Sequence, residues 1–161
     1  MPCRAATRHT ALSARLLLLT PLSRLLQVKL RDVFAGKKGI LLAVPGAFTP
    51  GCSKSHLPSY VADFEKLKAK GCEVIVCTAT NDAYVMYAWG KDQGATGKVL
   101  MLSDKDAELA KALGVSKDGG AIVRSGRYSA VVENNVLKSF NLADAGGGME
   151  CTLASAVESQ L

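Results

Sequence analysis

The stretch PGAFTPGC, Pro45 to Cys52, sets a cysteine three residues after a threonine and seven after a proline, just behind the apolar run Ile40 to Val44. A cysteine acts as a nucleophile through its thiolate. In the first turn of a helix the backbone N–H groups lack intrahelical partners, and the helix dipole adds positive potential. Both favour the anion. Pro50 and Gly51 narrow the conformations of the turn, and the Thr49 hydroxyl can reach whatever the sulfur holds. A cysteine by itself is more often a small buried apolar residue. Its combination with Thr49 at a strand-to-helix junction, where chemistry collects in open α/β sheets, points to a reactive thiol.

Cys3, Cys72, Cys77 and Cys151 complete an odd set of five with no Cys-x-x-Cys pair. That pattern argues against a secreted disulfide scaffold and for an intracellular chain with one or two reactive thiols. His56 follows Cys52 by four residues and shares its helix face, which admits Cys–His nucleophilic catalysis or half of a metal site. The other histidine, His9, lies far away in sequence. Cys72 and Cys77, five apart, are expected on opposite faces of a strand. No metal site is therefore expected, and His56 is placed at a helix surface or interface near the pocket. The sequence Gly36 to Gly39, GKKG, lacks the spacing of a phosphate-binding loop and reads as a solvated turn.

The elements that must position Cys52 follow from periodicity. GILLAVP and CEVIVCTA are short apolar runs without alternation, the signature of strands buried on both faces. Cys52 to Lys70 has helical spacing of Leu57, Val61, Phe64 and Leu67 and ends at Gly71. NDAYVMYAWGKDQ, with its Asn/Asp cap, predicts a helix, KVLMLSD a strand, and DKDAELAKALG a further helix with acids first. GAIVRSGRYSAVVENNVLKSFNL predicts strands joined at Glu133-Asn134-Asn135. A glycine-rich loop, Gly146 to Gly148, leads to a last helix, CTLASAVESQL. Alternation of strands and helices with a closing hairpin predicts an α/β fold with a mixed sheet. The length of 161 residues suits one domain.

The net charge of +6 sits at one end. Arg4, Arg8, Arg15, Arg24, Lys29 and Arg31 precede any acidic residue, and the other fourteen basic residues balance fourteen acidic ones. A neutral body gives no footprint for nucleic acid. Residues 1–27, rich in Arg, Ser, Thr, Ala and Leu, read as an arginine-rich leader, a transit peptide or divergent N-terminus, before a domain over 28–161. No run is long enough to span a membrane, so stable membrane insertion is not expected.

Pro45, Thr49 and Cys52 match the Pro-x-x-x-Thr-x-x-Cys motif of peroxiredoxins, and VPGAFTPGCSKSHLPSY resembles the type II, peroxiredoxin-5-like (atypical two-cysteine) subfamily. The likeness runs from about Val28 to Leu161 and includes NDAYVMYAWG, RYSAVVENN and the terminal CTLASAVESQL. It implies a thioredoxin-like fold, a central mixed sheet flanked by helices, and thiol-dependent reduction of hydrogen peroxide, alkyl hydroperoxides and peroxynitrite without cofactor or metal. It further implies that Cys52 attacks the peroxide and becomes a sulfenic acid. Thr49 would bond the thiolate and orient the peroxide, Pro45 would shield the pocket, and Arg127 would stabilise the thiolate and the leaving oxygen. Cys151 matches the resolving cysteine of animal enzymes; Cys77, twenty-five residues after Cys52, matches that of plant type II enzymes. The implied reductant is thioredoxin, glutaredoxin or glutathione, acting on a monomer or homodimer. Relatives have an N-terminal strand where this chain has its arginine-rich leader, so a second reading is a truncated, non-catalytic redox-binding module. The leader suggests mitochondria. The terminal Ser159-Gln160-Leu161 resembles a peroxisomal address, and relatives suggest the cytoplasm as well.

Overall fold

Strand β4 (Lys38–Ala43), strand β5 (Val74–Ala79) and strand β6 (Leu100–Ser103) run parallel at the centre of the sheet. The structure is a computed structural model describing Arg4, Ala5 and residues 12–143 and 148–161; Cys3, Arg8, His9, Gly146 and Gly147, singled out above, lie outside the described residues. The central strands lack polar alternation because both faces are covered: Ile40, Leu42 and Cys77 enter one core, Leu41, Ala43 and Val76 the other. On the far side of β4 lies β9 (Tyr128–Glu133), antiparallel, followed by β10 (Val136–Leu142). Asn134 and Asn135 turn this hairpin at φ 45° and 66°, the left-handed pair a two-residue turn requires. Val123–Ser125 (β8) does not join this sheet; it pairs with Ser116–Asp118 (β7) in a separate ribbon.

Helix α4 (Ala83–Asp92) starts as its sequence predicts, with the Asp82 carboxylate accepting from Val85 N at 2.9 Å. The long helix expected over 52–70 is divided. A π-helical turn, Cys52–His56, precedes α2 (Leu57–Ala62), and α3 (Phe64–Ala69) follows a break at Asp63. Pro58 explains the first irregularity: it has no N–H to give the Lys54 carbonyl, and Leu57 N closes a wider turn onto Cys52 O. Helix α5 is confined to Glu108–Ala112, capped by the buried Asp104 carboxylate, which accepts from Leu109 N and Ala110 N. The last helix, α6, covers Ala154–Glu158; Cys151 lies ahead of it in a 3-10 turn over Glu150–Thr152.

Residues 12–27, within the stretch expected as a leader, are part of the fold. Arg15–Leu19 (β2) and Leu25–Lys29 (β3) form a hairpin that meets β6 at Leu17↔Ser103, and the expected boundary falls inside β3. Arg4–Ala5 (β1) pairs with the end of β10. Together these strands give one mixed sheet in the order β1-β10-β9-β4-β5-β6-β2-β3. Leu12, Ala14 and Leu16 bury their side chains beside Leu30, which opens the short helix α1 (Leu30–Val33), and Phe34. Two further expectations change. Cys72 precedes β5, so strand parity does not apply to it, and it shares one core with Cys77. His56 is not at the surface: it is 0 % exposed.

Two measurements check this packing. Leu16→Ala should lower unfolding free energy by about 2–5 kcal/mol in urea, the cost of a cavity in a closed core; a change near zero would return residues 12–27 to leader status. Burial and the nearby Arg127 charge lower the His56 pKa from 6.5 to about 3. The unfolded state then binds the extra proton first as pH falls, so this residue removes stability between pH 6.5 and 3, by about 1.4 kcal/mol per pH unit. The acid slope should flatten in His56→Gln.

Candidate active site

The turn after β4 is held both by a bond of its own and by bonds to the end of β5 and the residues that follow it. Val44 N donates to Thr78 O at 3.0 Å, Ala47 N to Asn81 Oδ1 at 2.8 Å, and the Thr49 hydroxyl to Gly46 O at 2.8 Å. Ser53 N donates to Thr49 O at 3.0 Å, so helical bonding begins there, with Pro50 and Gly51 next and Cys52 in the first turn. Proline suits this position because its missing N–H would have had no helical partner. The indole of Trp89 donates to Ser53 Oγ at 3.0 Å and ties the turn to α4.

Cys52 is a free thiol with 0 % exposure. Arg127 Nη2 donates to its sulfur at 3.4 Å, across 75 residues of sequence. Sheet register brings the two together: Tyr128 is the partner of Ala43, so Arg127 is delivered beside the turn that leaves β4. Among the described residues the buried Arg127 Nη1 has no hydrogen-bond partner. This arrangement can hold a sulfur anion and still offer a donor to negative charge developing on a neighbouring oxygen. Thr49 contributes differently from the expected bond to sulfur. Its single proton is committed to Gly46 O, which leaves the oxygen lone pairs as acceptors.

Arg124, which the sequence reading passed over, fixes the turn from outside. Its Nη1 donates to Pro45 O at 2.9 Å, and a Cβ on Gly46 would come within 2.6 Å of the same nitrogen. A side chain at residue 46 would displace this guanidinium. The sole signal for it in sequence is the Arg-x-x-Arg spacing to Arg127, which carries no orientation once the backbone leaves β8.

The other cysteines occupy distinct settings. Cys77 is wholly buried in the core that holds Cys52, and burial pushes its thiol well up, with the charge of Cys52 adding to this. Cys72 is pushed up to about 11 by burial, and its thiol donates to Val74 O at 3.4 Å. Cys151 is half-buried, its sulfur 3.9 Å from Leu142 O, and it is disulfide-bonded, so Cys52, Cys72 and Cys77 are the free thiols among the described residues. The structure therefore brings Cys52 and Arg127 together, with Pro45 and Thr49 in the turn that leads to Cys52 and Cys77 in the same core, while Cys52 and Cys151 are not bonded to each other. His56 Nε2 donates to Thr152 O at 3.0 Å, and its Nδ1 has no partner among the described residues. Among those residues no cluster of three or more His, Cys, Asp or Glu side chains could hold a metal ion.

The redoxin family matches residues 11–156. The chain is 45% identical over 124 residues to the chloroplastic peroxiredoxin-2E of Arabidopsis thaliana, covering 74% of this chain and 53% of that one. It is 36% identical to the mitochondrial peroxiredoxin-2F of the same plant, over 82% of this chain and 67% of that one. The chain spans about half the length of the chloroplastic relatives it matches. Among solved structures, reduced Prx3 of Vibrio vulnificus in complex with hydrogen peroxide superposes with a TM-score of 0.90 at 39% identity, over 96% of this chain and 98% of that one. Peroxiredoxin 5 of Alvinella pompejana gives 0.77 at 32% identity, over 94% and 96%. The mixed sheet with helices on both faces is thus a thioredoxin-like fold, and the chain belongs to the redoxin family and, within it, to the type II peroxiredoxins.

Proposed function

We propose that the chain is a thiol-dependent peroxidase for hydrogen peroxide and alkyl hydroperoxides, with peroxynitrite as a further substrate, and that Cys52 is its nucleophile. One observation carries this reading: a buried free sulfur accepts a hydrogen bond from a guanidinium at 3.4 Å. The similar Vibrio vulnificus protein has been solved with hydrogen peroxide, which supports the substrate class. In the proposed step the Cys52 thiolate attacks one peroxide oxygen. An S–O bond forms, the O–O bond breaks, and the alkoxide or hydroxide leaves with a proton as alcohol or water. Arg127 stabilises the sulfur before attack and the leaving oxygen during it. Thr49 accepts a hydrogen bond from the peroxide O–H through its free lone pairs and so orients it, the proton passing to the leaving oxygen, and Pro45 keeps water from the sulfur.

The resulting sulfenic acid must meet a second thiol before it is oxidised further. Cys151 is our choice: its attack forms a disulfide to Cys52 and releases water. Cys151 is disulfide-bonded in this structure, so it serves only after a dithiol or glutathione has reduced it. The same class of reductant, thioredoxin, glutaredoxin or glutathione, would then reopen the Cys52–Cys151 bond. Cys77 is the alternative, opposed by the burial that disfavours its thiolate. A Cys–His hydrolase is disfavoured because His56 directs its N–H to Thr152 O instead of to sulfur. A non-catalytic redox-binding module would have no use for a cation aimed at a buried thiol.

The names of the relatives, chloroplastic and mitochondrial, support an organellar destination. A peroxisomal role for the tail would require its release. Gln160 exchanges side-chain hydrogen bonds with Asn141 at 3.0 and 3.3 Å, and Leu161 packs on the core.

Treatment of the fully reduced chain with one equivalent of hydrogen peroxide, followed by peptide mass mapping, tests the cycle. Oxidation should begin at Cys52 and end in a Cys52–Cys151 disulfide. Cys52→Ser should reduce peroxide consumption to background, and Cys151→Ser should accumulate the sulfenic acid. Undiminished peroxide consumption by Cys52→Ser would remove the reading; linkage to Cys77 would replace the resolving residue alone.

A further inference from the structure

At the end of the sheet remote from Cys52, the starts of β5 and β6 border a cavity of about 300 Å³. Phe64 of α3, Cys72, Val74 and Ile75 where β5 begins, and Val99 and Leu100 where β6 begins form its lining. Cys52 follows the opposite ends of these parallel strands, so the cavity is no part of the site described above. Its size is that of a small-ligand pocket. Side chains of this kind give water too few hydrogen-bond partners, and an apolar cavity of this sort stays dry and accepts apolar molecules. The thiol in the lining is already engaged: Cys72 Sγ donates to Val74 O at 3.4 Å.

Charge around the opening is mainly positive. Lys98 is an exposed member of the lining, and its ammonium gives one proton to Val61 O at 3.3 Å, which leaves two donors. Lys68 Nζ stands 5.3 Å from the centre of the Phe64 ring. Lys38 is near enough for its charge to act on the Cys72 thiol. Against these stands Glu73, also in the lining, whose Oε2 already accepts from Lys38 N at 2.9 Å. The surroundings suit a ligand with an apolar body and a negative head, and they disfavour the same body with a positive one.

We propose that this cavity is a binding site for short aliphatic carboxylates, the chain lying among Phe64, Ile75, Val99 and Leu100 and the carboxylate meeting the Lys98 ammonium. Burial of the chain supplies most of the affinity, because it removes apolar surface from water, whereas an ion pair at an exposed lysine adds a small increment. The apolar floor thus sets how tightly a ligand is held, and the lysines set which head group is preferred. The site is independent of the peroxidase reading.

The test follows the methyl NMR signals of the full, reduced chain, labelled at Ile, Leu and Val, during titration with octanoate, 1-octanol and octylamine. Octanoate should move the Ile75, Val99 and Leu100 signals to saturation and leave Val44, beside the Cys52 turn, in place. Octylamine should bind more weakly than octanoate by about 5-fold or more, since it exchanges an attraction for a repulsion. Lys98→Glu should weaken octanoate by about 2- to 5-fold, the worth of an exposed ion pair, without weakening 1-octanol. Cys72→Met, which extends a longer flexible chain into the cavity, should weaken octanoate and 1-octanol alike by about 10-fold, the loss of space for about two methylenes. If Cys72→Met folds poorly, Lys98→Glu at the surface keeps the comparison intact. Octanoate shifts that never saturate, that centre on Val44, or that persist undiminished in Lys98→Glu would overturn the site, as would equal binding of octanoate and octylamine. A failure of the peroxidase reading would leave all of these outcomes untouched.

Discussion

A sulfur with no exposed surface faces a guanidinium 3.4 Å away, and the two residues are 75 positions apart in the chain. Placed in water, such a pair would be screened and weak; away from solvent the same pair is strongly coupled. Burying either member alone would be costly. The contact therefore depends on the sheet that enforces it. Pairing of Ala43 with Tyr128 sets the height at which Arg127 leaves the sheet, and the Pro45–Gly51 turn sets the height of Cys52. A slip of one residue between β4 and β9 would exchange the faces of Ile40 and Leu41 as well as moving the guanidinium, so both cores specify the site.

Irregular backbone appears where the site needs it. The π-helical turn at Cys52–His56 follows from Pro58, and it leaves His56 deep enough to bond the carbonyl of Thr152. Gly46 leaves room for the Arg124 guanidinium, which in turn holds the carbonyl of Pro45. Phe48 sits at φ 60° with over half of its surface exposed, 55%, an unfavourable backbone state for an aromatic residue. The hydrogen bonds of Ala47 and Thr49 on either side of it hold that conformation. The tight turn is thus fixed from three directions: the Asn81 side chain, the Arg124 side chain and its own threonine.

The central strands, the Asp82-capped helix and the Asn134-Asn135 hairpin were legible in sequence because each has a local cause: an unbroken apolar run, a side-chain cap, a pair of residues tolerant of positive φ. The proline, threonine and cysteine of the turn were legible as a motif, and Arg127 through resemblance alone, since only sheet register brings it to the sulfur. The hairpin over Arg15–Lys29 was missed because β2 after Arg15 is an unbroken run of leucines with no alternation and the alternation in β3 lasts only from Leu26 to Lys29; arginine content suggested a leader instead. His56 was misplaced because a histidine four residues into a helix has no periodic signature of depth, which came from a carbonyl 96 positions away. Cys72 was assigned a strand face it does not have, since β5 begins two residues later.

The most direct measurement of the sulfur–guanidinium contact is the second-order rate at which hydrogen peroxide oxidises Cys52 in the wild type, Arg127→Lys and Arg127→Gln, read by stopped-flow tryptophan fluorescence and trapping of the sulfenic acid. If the contact organises the chemistry, the Gln variant should be slower by about 100-fold or more, with part of the rate restored by Lys as a cation without the planar fork. A Gln variant within a few-fold of the wild type, folded by the same spectroscopic measures, would contradict it.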